Sequence, residues 1–202
     1  MISFLYILDL TGTFAFAVSG AIAAAEKKMD IYGLFVLALI TAVGGGVLRD
    51  VLIGKVPPFV FQDVNYLLLA ILASILVFFF SKPIGRFRQP LIFMDALGLG
   101  VFTVIGVTRA MDTGMSWWGA ILMGVITGTV GGMFRDMLAN EVPLVLREEV
   151  YAAASMAGAI LFYVMAVFNL PRELCAVTGG LIVTVLRLVA VRFHWSLPRP
   201  PK

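Results

Sequence analysis

Residues 45–50, GGVLRD, and residues 131–136, GGMFRD, carry one pattern, G-G-x-x-R-D, in the two halves of this chain. Each copy is followed at the same distance by a Val-Pro pair, at Val56-Pro57 and at Val142-Pro143. Apolar segments readily share Leu and Val by chance. A glycine pair, a charge pair and a Val-Pro pair at one spacing do not recur in that way. The chain therefore contains an internal duplication.

The duplication extends well beyond this pattern when the chain is shifted against itself by 86 positions. Without a gap, the shift superimposes Asp9 on Asp95, Gly12 on Gly98, Phe16 on Phe102, Gly20 on Gly106, Gly33 on Gly119 and Val64 on Val150. Each copy must therefore be a complete structural unit, and the two units should have the same fold.

The composition indicates that lipid surrounds most of this chain. Apolar residues make up 61% of its 202 positions and charged residues 13%, which is too little polar surface for a soluble domain. A span needs about 20 mainly apolar residues. Apolar segments predict seven spans, at approximately 3–25, 31–52, 64–80, 93–110, 117–139, 150–168 and 173–193. We predict one all-α transmembrane domain over residues 1–202, with repeat one at about 3–80, repeat two at about 93–168 and an extra C-terminal helix.

Each copy holds three spans, and this odd number reverses the second copy in the membrane. The architecture predicted is thus an inverted 3+3 repeat plus one helix. Nine basic residues fall on one side: Lys27, Lys28, Lys82, Arg86, Arg88, Arg147, Arg192, Arg199 and Lys202. Three fall on the other: Lys55, Arg109 and Arg172. The excess of Lys and Arg on cytoplasmic loops places the C-terminus inside and the N-terminus outside.

The glycines of the repeated pattern lie near the middle of the second and fifth spans. Each glycine weakens a helix by about 0.5–1 kcal/mol relative to Ala, so we expect kinked helices that line a pore or a site. Close packing of helices is the alternative. The candidate pore or kink residues are Gly44, Gly45, Gly46, Gly131 and Gly132.

The Arg-Asp pairs put charges inside apolar spans, where they should face protein or water rather than lipid. Because helix neighbours at i and i+1 do not face each other, each arginine should bind an aspartate of another span. We predict two symmetry-related ion pairs, Asp9–Arg49 and Asp95–Arg135, that act as a structural clamp or in gating and ion selection. The candidate pore or gating charges are Asp9, Arg49, Asp50, Asp95, Arg135 and Asp136.

Charges outside the spans give weaker signals. Lys55 and Glu141 occupy equivalent positions with opposite sign and are either solvated or bias ion entry at two pore mouths. Lys82, Arg86 and Arg88 could contact anionic lipid headgroups, or serve only the charge asymmetry. The basic residues lie in loops rather than on one face, so no nucleic-acid partner is expected.

The doubled G-G-x-x-R-D followed by Val-Pro resembles the prokaryotic trimeric intracellular cation (TRIC) channel family, whose domain has also been labelled glycine-transporter-like. The resemblance covers residues 3 to about 193. It implies a homotrimer in a bacterial inner membrane, with one hourglass pore per protomer lined by the second and fifth helices. The permeant ions would be monovalent cations, above all K⁺, and lipids would be further partners.

A second hypothesis stays open from the residues alone. Inverted repeats also build secondary transporters, and arginine with aspartate could bind a small zwitterion such as glycine. The sequence has no P-loop, metal-ligand cluster or nucleophile elbow, so we expect no enzyme. We expect no cofactor or structural metal either, only permeant K⁺ or Na⁺.

Overall fold

A computed structural model describes residues 4–80, 88–147 and 150–195 of the chain, and every regular element in these ranges is helical. The α-helices are α1 Phe4–Glu26, α2 Ile31–Leu52, α3 Asn65–Phe80, α4 Arg88–Asp112, α5 Trp117–Leu138, α6 Leu144–Arg147, α7 Val150–Val167 and α8 Arg172–Arg192. A 3₁₀ turn, Phe59–Phe61, precedes α3.

The prediction of an all-α membrane protein is confirmed. Within the described ranges, six helices are long and apolar enough to cross a membrane: α1, α2, α4, α5, α7 and α8. The remaining predicted span corresponds to α3, which is apolar but has only 16 residues and therefore measures about 24 Å. The short helix α6 was not predicted, because one turn has no recognisable periodicity.

The residues that begin and end α2 occur at equivalent positions around α5. Asp30 and Ser116 are equivalent N-caps whose side chains accept hydrogen bonds from the first turns of α2 and α5. Beyond the ends of these helices, Gly54 and Asn140 adopt left-handed conformations with φ of 75° and 56°. Glycine and asparagine are the residues that tolerate this conformation best, so the sequence fixes the length of both helices in the same way.

The first helices of the two repeats cross in opposite directions at a pair of phenylalanines. The rings of Phe16 and Phe102 lie 5.3 Å apart. Each ring also lies against a glycine of the other helix: a Cβ atom on Gly98 would be 2.0 Å from the Phe16 ring, and one on Gly12 would be 3.4 Å from the Phe102 ring. Because position 16 meets 98 and position 12 meets 102, α1 and α4 are antiparallel.

The second helices cross in the same reciprocal manner. A Cβ atom on Gly45 would lie 2.1 Å from the carbonyl oxygen of Thr127, and one on Gly131 would lie 2.4 Å from that of Thr41. These contacts interchange when each residue is replaced by its partner 86 positions away. An approximate two-fold axis therefore passes through this crossing and through the phenylalanine pair, which is the arrangement that an inverted repeat requires.

The glycines act at this crossing through their lack of a side chain. Helices α2 and α5 each continue without interruption through residues 44–46 and 131–132. Close packing of helices, the alternative expected from the sequence, is observed at Gly45 and Gly131. A kink within the continuous helices stays a prediction.

The third helices match at an offset of 85 rather than 86. The buried residues Tyr66, Ala70, Ala73, Ser74 and Val77 of α3 correspond to Tyr151, Ser155, Gly158, Ala159 and Phe162 of α7. The ungapped match of Val64 to Val150 is therefore one residue out of register. Repeat two has one residue fewer after its Val-Pro pair, and a loop absorbs this deletion without changing the helix contacts.

Contacts between loops establish which helix ends share a face. Lys27 after α1 forms an ion pair of 2.5 Å with Glu141 after α5, and we call the face that holds them the basic face. On the opposite face, Arg172 pairs with Asp112. The alternation of these helix ends puts the start of α1 and the end of α8 on opposite faces. Which face is cytoplasmic stays a prediction.

The crossing of α2 and α5 predicts a large cost for any side chain at Gly45. We expect Gly45→Ala to lower the free energy of unfolding by roughly 1–3 kcal/mol, because the added methyl group would force two backbones apart. Equilibrium unfolding in mixed micelles measures the change. Gly180→Ala is the matched control, since a Cβ there meets nothing closer than 3.6 Å. Equal costs for the two variants would contradict this packing role.

Candidate functional site

Arg135 is fully buried on α5 and binds several polar side chains, which we call the polar centre of repeat two. Its Nη1 atom donates to Oδ1 of Asp95 at 2.6 Å and to the hydroxyl of Ser19 at 2.5 Å. Its Nε atom donates to Oδ1 of Asp136 at 2.8 Å. The predicted ion pair between Asp95 and Arg135 is confirmed. It links α4 to α5, and Ser19 adds α1 from the other repeat.

Two further side chains complete this centre, and neither was predicted from the sequence. The Tyr151 hydroxyl of α7 donates to Oδ1 of Asp95 at 3.2 Å. The guanidinium group of Arg187, on α8, lies 4.9 Å from the centre of the Tyr151 ring. Arg187 lies outside the repeat, so the internal comparison did not reveal it. The sequence signal that could have revealed it is a charged residue in the interior of the last apolar span.

Repeat one builds its centre from equivalent residues but connects them differently. Asp9 accepts a hydrogen bond from the Tyr66 hydroxyl at 3.0 Å. Arg49 donates from Nε to Oδ1 of Asp50 at 2.9 Å, and its guanidinium group lies 5.3 Å from the centre of the Phe59 ring. Among the described residues, Asp9 and Arg49 form no ion pair, so the predicted pair is wrong. Asp9 Oδ1 and Arg49 Nη1 are both buried without a partner in the described ranges.

Sequence differences between the repeats account for this change of partners. Arg135 is held toward Asp95 partly by Ser19 of α1, but the equivalent position of α4 is Ile105, which has no hydroxyl to hold Arg49. The Phe59 ring instead packs against Gly46, where a Cβ atom would lie 2.6 Å from it. This ring holds the Arg49 guanidinium near Asp50 by a cation–π contact.

Both arginines bind the aspartate that follows them, which corrects the expectation that neighbours at i and i+1 stay apart. The Nη2 atoms lie 2.8 Å from Oδ1 of Asp50 and of Asp136, because an arginine side chain is long enough to fold back. The second carboxylate oxygen accepts from the loop that follows: Phe59 N at 2.9 Å and Leu144 N at 2.8 Å. Each Arg-Asp pair therefore fastens the loop behind its helix.

A cavity of about 370 Å³ opens beside the repeat-two centre on the basic face. Its charged lining residues are Glu26, Lys27, Arg135, Asp136, Glu141 and Arg147. Lys27 and Glu141 close one wall as an exposed ion pair, and the hydrogen bond from Lys27, together with its charge, lowers the pKa of Glu141. The cavity thus connects the buried Arg135–Asp136 pair to water.

The other predicted surface charges lie apart from this cavity. Lys55 is exposed after α2, toward the opposite face, so it and Glu141 do not meet. Lys82 and Arg86 lie outside the described residues, as does the side chain of Arg88. Within the described ranges, no group of three or more His, Cys, Asp or Glu side chains could hold a metal ion.

Comparison with known proteins identifies the family. Residues 6–82 and 92–167 both match the sequence model of the family described as "Glycine transporter", and these two segments coincide with the two repeats. The chain belongs to this family. The predicted resemblance to bacterial TRIC channels is confirmed by a crystal structure of "the TRIC trimeric intracellular cation channel orthologue from Rhodobacter sphaeroides". That protein is 37% identical with a TM-score of 0.90, covering 95% of this chain and 98% of its own.

Relatives of known sequence extend over the same length. A "UPF0126 membrane protein" of Vibrio cholerae is 42% identical over 97% of this chain and 82% of the relative. The "UPF0126 inner membrane protein YadS" of Escherichia coli is 38% identical over 96% of this chain and 94% of the relative. The similarity therefore includes both repeats and α8.

The unequal pairing of the two aspartates gives a direct prediction. We expect Asp95→Asn to lower the free energy of unfolding by about 3–5 kcal/mol, because it leaves buried Arg135 without one of its two carboxylates. We expect Asp9→Asn, its equivalent in repeat one, to cost only about 1 kcal/mol, the value of one hydrogen bond. Unfolding of both variants in mixed micelles measures the difference, and equal losses would contradict the pairing described.

The ion pair between Lys27 and Glu141 predicts that the stability of the fold changes with pH only in the acidic range. Because the pKa of Glu141 is lowered in the folded protein, the ion pair stabilises the fold fully at pH values above the ordinary pKa of a glutamate side chain. The contribution is lost as the pH falls through the lowered pKa. Wild type should therefore melt at a higher temperature than Glu141→Gln at pH 7, and the two should converge once the pH has fallen below the lowered pKa of Glu141. Lys27→Met is the control and should reproduce the loss. A difference that persists at low pH would exclude the pair as its source.

Proposed function

We propose that this chain is a passive channel for monovalent cations, K⁺ above all, with its path between α1, α2, α4 and α5. The support from comparison is the Rhodobacter sphaeroides relative, which is described as a trimeric intracellular cation channel orthologue and shares the fold over nearly the whole chain. The alternative, a secondary transporter for a small zwitterion such as glycine, rests only on the family description.

The observation that carries the proposal is a line of residues along the antiparallel pair of α1 and α4. Asp9, Thr13 and Phe16 follow one another at helical spacing on one face of α1, and all three are buried. Asp95 and Phe102 occupy the equivalent positions on α4. The two phenylalanines meet at the two-fold axis, so each half of the path holds one carboxylate and the aromatic pair separates the halves.

This arrangement suits conduction of cations. The carboxylate of Asp9, which forms no ion pair, supplies negative charge inside the apolar part of the protein, where a dehydrated cation needs it most, whereas the charge of Asp95 is balanced by Arg135. The cavity on the basic face gives water access to one end. In the state described here the aromatic pair closes the middle, and we propose that separation of Phe16 and Phe102 opens the path. Hydrophobic constrictions of this kind gate channels by excluding water.

We further propose that the protein is a homotrimer in a bacterial inner membrane, with one path per protomer, the basic face in the cytoplasm and lipids around it. The trimer follows from the description of the Rhodobacter sphaeroides relative, and the location follows from that of the Escherichia coli relative. The orientation follows from the excess of basic residues on one face. Arg49, Asp50, Arg135 and Asp136 then serve mainly to hold the loops at the two ends of the path.

The decisive experiment compares unitary currents with uptake. We expect purified protein in planar bilayers to give single-channel K⁺ currents, and the same protein in liposomes to show no saturable glycine uptake. Phe16→Ala should raise the open probability, because it removes half of the aromatic closure, and Phe14→Ala is the control on the same helix. Saturable glycine uptake without unitary currents would overturn the proposal in favour of the transporter.

A further inference from the structure

The two repeats differ in how they use their buried oxygen atoms. In repeat two, Oδ1 of Asp95 binds both Arg135 and Tyr151, and Oδ2 is buried with no hydrogen-bond partner in the described ranges. In repeat one, Oδ1 of Asp9 and the hydroxyl oxygen of Thr13 are buried, with no hydrogen-bond partner among the residues described. Asp9 is 5% exposed and Thr13 is 0% exposed. Oxygen atoms withdrawn from water in this way cost free energy unless a ligand satisfies them.

The two oxygen atoms belong to side chains that lie next to each other. Asp9 and Thr13 are four residues apart on α1, so their side chains are neighbours on one face of the helix. Repeat two lacks this combination, because its residue equivalent to Thr13 is Leu99. Among the described residues, a buried carboxylate oxygen and a buried hydroxyl oxygen that both lack a partner and lie one helical turn apart occur in repeat one alone.

The nearby arginine Arg49 acts on Asp9 through its charge but makes no hydrogen bond or ion pair with it in the described ranges. Arg49 is held by Asp50 and by the face of the Phe59 ring, in contrast to Arg135, which reaches its aspartate. The other charged groups that act on Asp9 are Arg109 of α4 and Asp50. Arg109 is exposed and therefore acts through solvent, so the carboxylate of Asp9 keeps an oxygen free for a ligand of positive charge.

We propose that Asp9 Oδ1 and Thr13 Oγ1 bind a partly dehydrated monovalent cation, K⁺ in the first place, in the half of the protein toward the opposite face. Water molecules supply the remaining ligands. The inference deepens the proposed function by assigning one ion-binding position on the path. A site with one charge and one hydroxyl is weak, which is what rapid conduction requires.

The test measures cation binding without requiring conduction. Purified wild-type protein in detergent is melted while KCl replaces N-methyl-D-glucamine chloride at constant ionic strength. We expect a saturable rise in melting temperature with K⁺. Asp9→Asn should raise the half-saturating K⁺ concentration by about tenfold or more, the effect of losing one charged ligand.

A hydroxyl variant and its control isolate the second ligand. Thr13→Val keeps the volume of the side chain and should raise the half-saturating concentration a few-fold. Thr11→Val is the same change on the same helix, at an exposed residue whose hydroxyl donates to the Ile7 carbonyl group, and should leave it unchanged. If Asp9→Asn does not fold, Thr13→Val decides the question.

The outcomes separate this inference from the proposed function. No K⁺-dependent stabilisation of wild type, or the same K⁺ dependence in wild type, Asp9→Asn and Thr13→Val, would overturn the site even if unitary currents are present. A K⁺ dependence that is lost in these variants, in a protein without currents, would uphold the site and reject the channel.

Discussion

The contact between the backbones of α2 and α5 is the constraint on which the rest of the structure depends. Gly45 and Gly131 each place a helix backbone against a carbonyl oxygen of the other helix, at distances that no side chain would allow. Arg49 and Arg135 follow one turn later on the same helices. The crossing therefore fixes where both guanidinium groups lie relative to α1 and α4. Their positive charge in turn determines where α1 and α4 can carry a buried aspartate.

The two repeats share their backbone but not their electrostatics. The crossing glycines, the helix caps and the loop-fastening aspartates are all present twice. The hydroxyl groups are not: Ser19 faces Arg135 where Ile105 would face Arg49, and Thr13 corresponds to Leu99. Because the polar groups of the duplicated architecture are unequal, Asp95 forms an ion pair with Arg135 in one half, whereas Asp9 forms no ion pair in the other half and lies next to the unpaired hydroxyl of Thr13.

Much of this could be predicted from sequence because period and repetition are local signals. The spans, the inversion and the Asp95–Arg135 pair followed from them. The prediction of an Asp9–Arg49 pair was wrong. The symmetry of the repeats does not include the Ser19 hydroxyl and the Phe59 ring, which direct the two arginine side chains to different partners. The one-residue shift after Val-Pro and the role of Arg187 also escaped, because a loop deletion and a helix outside the repeat leave no trace in an ungapped comparison.

A double-mutant cycle tests the central claim, that the two acid–arginine centres are unequal, most directly. The coupling free energy between Asp95→Asn and Arg135→Met is compared with that between Asp9→Asn and Arg49→Met, using equilibrium unfolding. We expect about 2 kcal/mol or more for the first pair and below about 0.5 kcal/mol for the second. Similar couplings in both cycles would contradict the account.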